Sequence, residues 1–147
     1  VRELNKLIFD TIKNNPTFQS LTGATPQDPR VYKTREPVKH EISDAKPAFA
    51  VYYMMGSTNV LSDLIHGAQK NDYSYTIELY GKSDTTLSTL GYIIENSMNY
   101  KSFSTQTYIV NLVVVSRGQV SWDDARQLYL ETVIVHLRKI LTLDEAS

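Results

Sequence analysis

Residues Tyr73 to Asn99 constrain this chain most. Tyr75, Ile77 and Leu79 alternate with Thr76, Glu78 and Tyr80, the period of a strand. At Gly81-Lys82-Ser83-Asp84 the pattern changes, and Leu87, Leu90, Ile94 and Met98 recur at helical spacing. A half-buried strand therefore feeds an amphipathic helix through a short turn. Ser83 or Asp84 is placed to accept a hydrogen bond from the first free N–H groups of that helix. Phosphate loops and nucleophile elbows sit at such turns, and this one carries neither the glycines nor the nucleophile. Leu90 and Ile94 are expected to pack on a sheet.

Leu4, Leu7, Ile8 and Ile12 predict a short N-terminal helix from about Glu3 to Asn14, ended by Asn14-Asn15-Pro16. Thr22 to Asp28 is rich in turn residues, and Arg30 to Arg35 reads as a short strand stopped before Pro37. After the charged stretch Glu36 to Lys46, Pro47 opens a strand with two apolar faces. Phe49, Val51, Tyr53 and Met55 lie on one, Ala50, Tyr52 and Met54 on the other, so the strand is central or covered twice. Thr107 to Ser116 is a further strand, because Val113-Val114-Val115 resists helix formation. Arg117-Gly118-Gln119 is expected to turn the chain, with Trp122-Asp123-Asp124 in the connection that follows. In the last element Ala125, Leu128, Val133, His136, Leu137 and Ile140 fall near one helical face. Val133-Ile134-Val135, together with the preceding strand and turn, favours a strand instead. The sum is an α+β chain: a mostly antiparallel sheet of four to five strands, one long helix packed on it and a short N-terminal helix. Residues 1–147 are expected to form a single domain.

Gly56 to Asp72 is open to assignment as helix, hairpin or loop. It is read as a hairpin arm or loop that joins two antiparallel strands, with residues 56–72 able to protrude. Val60, Leu61, Leu64 and Ile65 form an apolar cluster within it. Either the cluster marks an assembly contact or it folds back onto the domain's own core.

Composition narrows the function classes. The formal net charge is −1, which gives no bulk attraction to nucleic acid or to an anionic membrane. Cysteine is absent, which removes disulfides, thiolate nucleophiles and Cys-based zinc sites. No stretch is long and apolar enough to span a bilayer as a helix. Charges at Arg2, Glu3, Lys6, Asp10 and Lys13 are unlike a signal-peptide core. Ten tyrosines stand against one tryptophan and four phenylalanines, a choice that suits half-exposed sheets and interfaces.

Candidate chemistry is sparse. His40, His66 and His136 fall in separate elements. His40-Glu41-Ile42-Ser43-Asp44 is near H-E-x-x-H, but Asp44 replaces the second histidine in a stretch not expected to be helical. Asp123, Asp124 and Glu131 make a poor acid–base couple on an extended chain and suit turn or cap roles better. Gly56-Ser57 lacks the closing glycine of a nucleophile elbow. Arg30, Lys33, Arg35, Lys39 and Lys46 gather around Tyr32, yet Asp28, Glu36, Glu41 and Asp44 dilute them to a mixed-charge edge. The expectation is a chain without catalytic residues, cofactor or metal.

The order of features resembles a known family. It runs from the helix Leu4 to Ile12 through Pro29-Arg30-Val31-Tyr32 and Pro47-Ala48-Phe49-Ala50-Val51. The strand Tyr73 to Gly81 and the helix to Asn99 follow, and the chain closes on Val110 to Val115 and Tyr129 to Leu137 with Trp122-Asp123-Asp124 between. This pattern, over nearly the whole chain, is similar to the tail-completion or tail-terminator proteins of long-tailed bacteriophages and to related head–tail joining proteins. The resemblance implies one helix against a sheet and a ring-shaped homo-oligomer, usually a hexamer. The ring caps the tail tube and docks to the head, so the implied partners are the tail-tube protein and a head-completion protein. It implies passage of DNA through the lumen without sequence readout, and no enzymatic activity, cofactor or membrane. The implied location is the virion, at the tail and head–tail junction, after assembly in the host cytoplasm. Residues 56–72 depart from the family pattern, and Val60, Leu61, Leu64 and Ile65 are the assembly-interface candidates.

Overall fold

The computed structural model describes residues 2–33, 42–60, 69–99, 101–104 and 108–141. The chain is α+β. Among the described residues, three helices, α1 (Arg2–Lys13), α2 (Pro16–Thr22) and α3 (Asp84–Met98), accompany seven strands. These are β1 (Val31–Lys33), β2 (Ala48–Val60), β3 (Gln69–Gly81), β4 (Phe103–Ser104), β5 (Tyr108–Arg117), β6 (Ser121–Asp123) and β7 (Leu128–Leu141). The sheet order is β1-β2-β3-β7-β5-β4, with β6 also on β7.

Two long hairpins make the sheet. In one, β2 runs antiparallel to β3 from Ala48↔Gly81 to Val60↔Lys70. In the other, β7 runs back along β6 and then β5. The Gly118 N–H still donates to the Thr132 carbonyl at 2.8 Å, so the chain stays beside β7 where a turn was expected. The reversal comes later, at 124–127, where Asp123 Oδ1 accepts from the Ala125 and Arg126 N–H groups. Trp122 and Asp123 therefore belong to a strand. The final element is a strand, as Val133-Ile134-Val135 suggested, and pairs β3 from Gln69↔Leu141 to Gly81↔Tyr129.

The sheet has more strands than the four to five expected, because β4 and β6 are too short to show a period. It is antiparallel except for β1, which pairs parallel with β2. α2 is a further departure. Asn14-Asn15-Pro16 ends α1, but Asn15 Oδ1 also accepts from the Thr17 and Phe18 N–H groups and so begins a second helix. Pro16 suits its first turn, and Gly23, at φ +71°, closes it.

All three helices cover one face of the sheet. Leu4, Ile8, Ile12, Phe18, Leu87, Leu90, Ile94 and Met98 meet Ala50, Tyr52, Tyr75, Ile77, Leu79, Val133 and Val135 in one core. Ser83 caps α3 by accepting from the Thr86 N–H, and Asp84 Oδ1 takes the Thr85 N–H. The opposite face carries a smaller cluster of Phe49, Val51 and Tyr80, with Tyr32, Ile42, Tyr53, Leu128 and Leu130 packed around it. β2 is thus covered on both faces at its start, as its two apolar faces suggested.

Leu90 is fully buried between α3 and the sheet. Leu90→Ala is expected to cost about 2–5 kcal/mol, read as a lowered urea midpoint with an unchanged slope. An unchanged midpoint would show that the site collapses without loss.

Candidate assembly surface

The smaller cluster is held by charge and aromatic contact. Arg30, 1% exposed, adopts φ +59°. Its Nε donates to the Ala48 carbonyl at 3.1 Å, one terminal nitrogen donates to the Lys46 carbonyl at 3.3 Å, and its guanidinium lies 5.5 Å from the Phe49 ring centre. Phe49 stacks on Tyr80 at 5.2 Å, and Arg126 lies 5.2 Å from the far ring. The Tyr80 and Tyr53 hydroxyls both donate to Glu78, at 2.6 and 2.9 Å. Burial, with the hydrogen bond to Glu78, pushes the Tyr80 hydroxyl up. Burial, with the hydrogen bond to Asp28, pushes Tyr32 up to about 12. Burial acts to raise Asp28, but hydrogen bonds from Tyr32, Arg30 and Lys46 hold it below the ordinary range.

These contacts decide the basic cluster. Arg30 is inside the protein and Lys46 pairs with Asp28 at 3.4 Å, while Lys33 is exposed. Arg35 and Lys39 lie outside the described residues, as do His40 and His66. His136 is exposed on the face away from the helices, its Nδ1 2.9 Å from Ser74 Oγ. No group of three or more His, Cys, Asp or Glu able to hold a metal occurs among the described residues. Asp123 and Asp124 serve the 124–127 turn: Arg126 donates to Asp123 at 2.7 Å, and Trp122 Nε1 and Gln127 Nε2 donate to Asp124. Two apolar gaps lie beneath the helices. One lies between α1, α2 and α3, lined by Ile12, Phe18, Ile94 and Met98, and the other is lined by Leu7, Phe103, Val110 and Leu137. Each has room for one water at most.

Glu131, given a turn or cap role from the sequence, lies inside the protein. It is 1% exposed on the helix-facing side of β7, under α3. Arg117 Nε donates to its Oε1 at 2.9 Å, while Oε2 has no hydrogen-bond partner among the described residues. Gly91 makes room for it, since a Cβ there would meet both carboxylate oxygens at 2.6 Å. A lone glutamate in a strand carries no sign of this burial; Gly91, on the buried face of α3, was the only hint.

The surface features gather around β2. Among the described residues its pairing with β1 covers Ala50–Tyr52. Beyond, Met54 and Met55 are 37% and 57% exposed, and a bulge separates Met54 from Gly56. A second bulge interrupts β5 between Asn111 and Val114, at the adjacent level across β3 and β7. Past the bulges, Arg138 clamps Asp72 with two bonds of 2.7 and 3.1 Å across β3 and β7. Of residues 56–72, 56–60 and 69–72 are strand. Val60 ends β2; Leu61, Leu64 and Ile65 lie outside the described residues. The other large apolar side chains exposed among the described residues are Tyr92, Ile109 and Trp122, the last in edge contact with Tyr129 at 5.0 Å.

No protein-family model matches the sequence, and no curated protein matches it. The fold is similar to that of a chain from the virion of a native gene transfer agent particle. The TM-score is 0.67 at 7% identity, over 90% of this chain and 91% of that one. A second solved chain matches at a TM-score of 0.51 and 12% identity, over 97% of this chain and 96% of its own length. At these identities the likeness is one of fold.

Burial pushes the Glu131 carboxyl above the ordinary range; Arg117 pulls it back and Glu95 adds to the rise. Folding therefore favours its protonated form. That contribution is whole below the ordinary glutamate value and is lost as pH rises through the raised one. Glu131→Gln removes the titration, so its thermal midpoint relative to the parent should rise as pH goes from about 5 to about 8. Parallel pH profiles would show that Glu131 keeps its charge without penalty.

Proposed function

We propose that this chain is a structural assembly protein of a phage-like virion. In this reading it forms a ring, a hexamer on the family pattern, that terminates the tail tube and joins it to the head. The carrying observation is the likeness of fold, over nine-tenths of both chains, to a chain of a gene transfer agent virion. The order of elements that resembles the tail-terminator family points the same way. The tail-tube protein and a head-completion protein are the partners this reading assigns, with DNA passing through the lumen without base readout. The chain acts without catalysis, cofactor or membrane attachment.

The competing reading is a small-ligand or peptide-binding module without catalysis. It needs an apolar pocket beside α3, and the gap lined there by Ile12, Phe18, Ile93 and Met98 has no room for a ligand. Among the described residues the gaps under the helices are closed, and large apolar side chains stand exposed on strands and on α3, which suits assembly better than capture.

Light scattering on the purified chain, with negative-stain imaging and co-sedimentation with tail tubes, tests the proposal. Ring-sized mass and capped tubes are expected. A monodisperse monomer at high concentration, without tube association, would overturn it. Val60, Leu61, Leu64 and Ile65 remain the proposed arm contact. Burial of two such side chains at roughly 25 cal/mol per Å² supplies a few kcal/mol per interface, repeated around the ring. Leu61→Asp with Leu64→Asp should leave a folded monomer by circular dichroism. Loss of the fold instead would assign these residues to the core, and normal rings would remove the arm from the interface.

A further inference from the structure

We propose that Glu131, Arg117 and Gly91 make α3 a proton-sensitive cover, held closely on the sheet when the Glu131 carboxyl carries a proton and opening more readily when it is ionised. This inference is independent of the ring reading. The carboxyl is satisfied on one side alone. Arg117 Nε donates to Oε1 at 2.9 Å, while Oε2 has no hydrogen-bond partner among the described residues, and Glu131 is 1% exposed. A buried oxygen without a partner is unfavourable, and more so when the group is charged. Either a proton removes the charge or water must reach Oε2.

The strand that carries Glu131 cannot move aside. Glu131 lies opposite Leu79 in the unbroken pairing of β7 with β3, and on the other side the Thr132 carbonyl accepts from the Gly118 N–H. What shuts water out is the helix. A Cβ at Gly91 would lie 2.6 Å from both carboxylate oxygens, so the backbone of α3 itself rests against them. The first half of α3 reads Asp84-Thr85-Thr86-Leu87-Ser88-Thr89-Leu90-Gly91, and threonine, serine and a mid-helix glycine all have low helix propensity. Packing of Leu87 and Leu90 holds these turns more than their own preference does. Opening them is therefore the least costly way to hydrate Oε2.

The charged neighbours act in opposite directions. Arg117 reaches from β5 and favours the carboxylate, whereas Glu95 on α3 favours the acid. Tyr129 lies two residues along the same strand, and β3 presents the apolar Leu79. Arg117 is 23% exposed, so water screens part of its charge, and burial outweighs it. The same guanidinium donates to the Ser88 carbonyl at 3.0 Å, which ties the first half of α3 to the carboxyl beneath it. In the open form Glu131 meets water and returns to its ordinary range. The closed form is then favoured at low pH and loses ground as pH rises through the raised value.

Backbone hydrogen exchange on the full chain, expressed as protection factors at pH 5 and pH 8, tests this. Amides from Leu87 to Gly91 should be less protected than those around Ile77 and Val133 in the central ladder. Their protection should fall by about threefold or more between the two pH values. In Glu131→Gln the fall should vanish, and in Arg117→Gln, which takes away the partner of Oε1, it should be larger. Helix amides as protected as the ladder would show that α3 opens only with the whole fold, and would overturn the proposal. A fall that persists unchanged in Glu131→Gln would overturn it too, since the proton would then act elsewhere. Should Arg117→Gln fail to fold, the parent and Glu131→Gln decide.

Discussion

The ladder between β3 and β7 is the constraint on which everything else rests. It joins the two hairpins through continuous pairing from Gln69↔Leu141 to Gly81↔Tyr129. Its register sends Tyr75, Ile77, Leu79, Val133 and Val135 to the helices and leaves Glu78, His136 and Arg138 on the other side. A slip of one residue would turn Glu78 and Thr76 into the helix core and expose Ile77. The small cross-strand pairs Ser74–His136 and Asp72–Arg138 lie on the outer face of the same ladder and match only in this register. Both strands come from distant parts of the chain, so α3 and β5 must be threaded before the ladder closes, an arrangement that folds slowly for its size.

The two faces of the sheet are stabilised by different chemistry. The helix side is a largely aliphatic core with Phe18, Tyr52, Tyr73 and Tyr75 among its members, and in it Glu131 is tolerated by Arg117 and by the absence of a side chain at Gly91. The far side near β1 is aromatic and charged, a column of Arg30, Phe49, Tyr80 and Arg126 with Asp28 and Glu78 beside it. Removing a single partner from such a set costs more than the set contributes, because the rest stay buried without their bonds. The column fixes the start of β2, and past the bulge the strand continues on β3 as far as Val60↔Lys70.

How much of this was legible follows from which signals are local. Alternation in Tyr73–Gly81, helical spacing in Asp84–Met98 and β-branching in β5 and β7 are local, and each led to the right element. What stayed hidden depends on distant partners or on one residue with two roles. Asn15 ends one helix and starts another, and only its side-chain bonds reveal the second role. Arg30 looks like one of a solvated basic group, but its buried side chain is enclosed by Ala48, Lys46 and Phe49, all brought by β2 and the turn before it. The parallel pairing of β1, the burial of Glu131 and the exposure of Met54 and Met55 are likewise properties of the assembled sheet. An assembly surface has no fixed spacing of reactive groups for a sequence to display, so this kind of site is less visible than a catalytic one.

The paired bulges shape the sheet on either side of the central ladder. One lies in β2 at Met55 and the other in β5 between Asn111 and Val114, flanking the central ladder at the level of Ser74 and His136. An extra residue on each outer strand, with none on the inner two, increases local twist and bends the outer strands relative to β3 and β7. The bulges bend β2 and β5 without breaking them, since pairing resumes beyond each, at Gly56↔Ser74 and at Asn111↔Arg138. The central ladder runs through unbroken, so its register holds both hairpins to one sheet while the outer strands adapt to what packs on them.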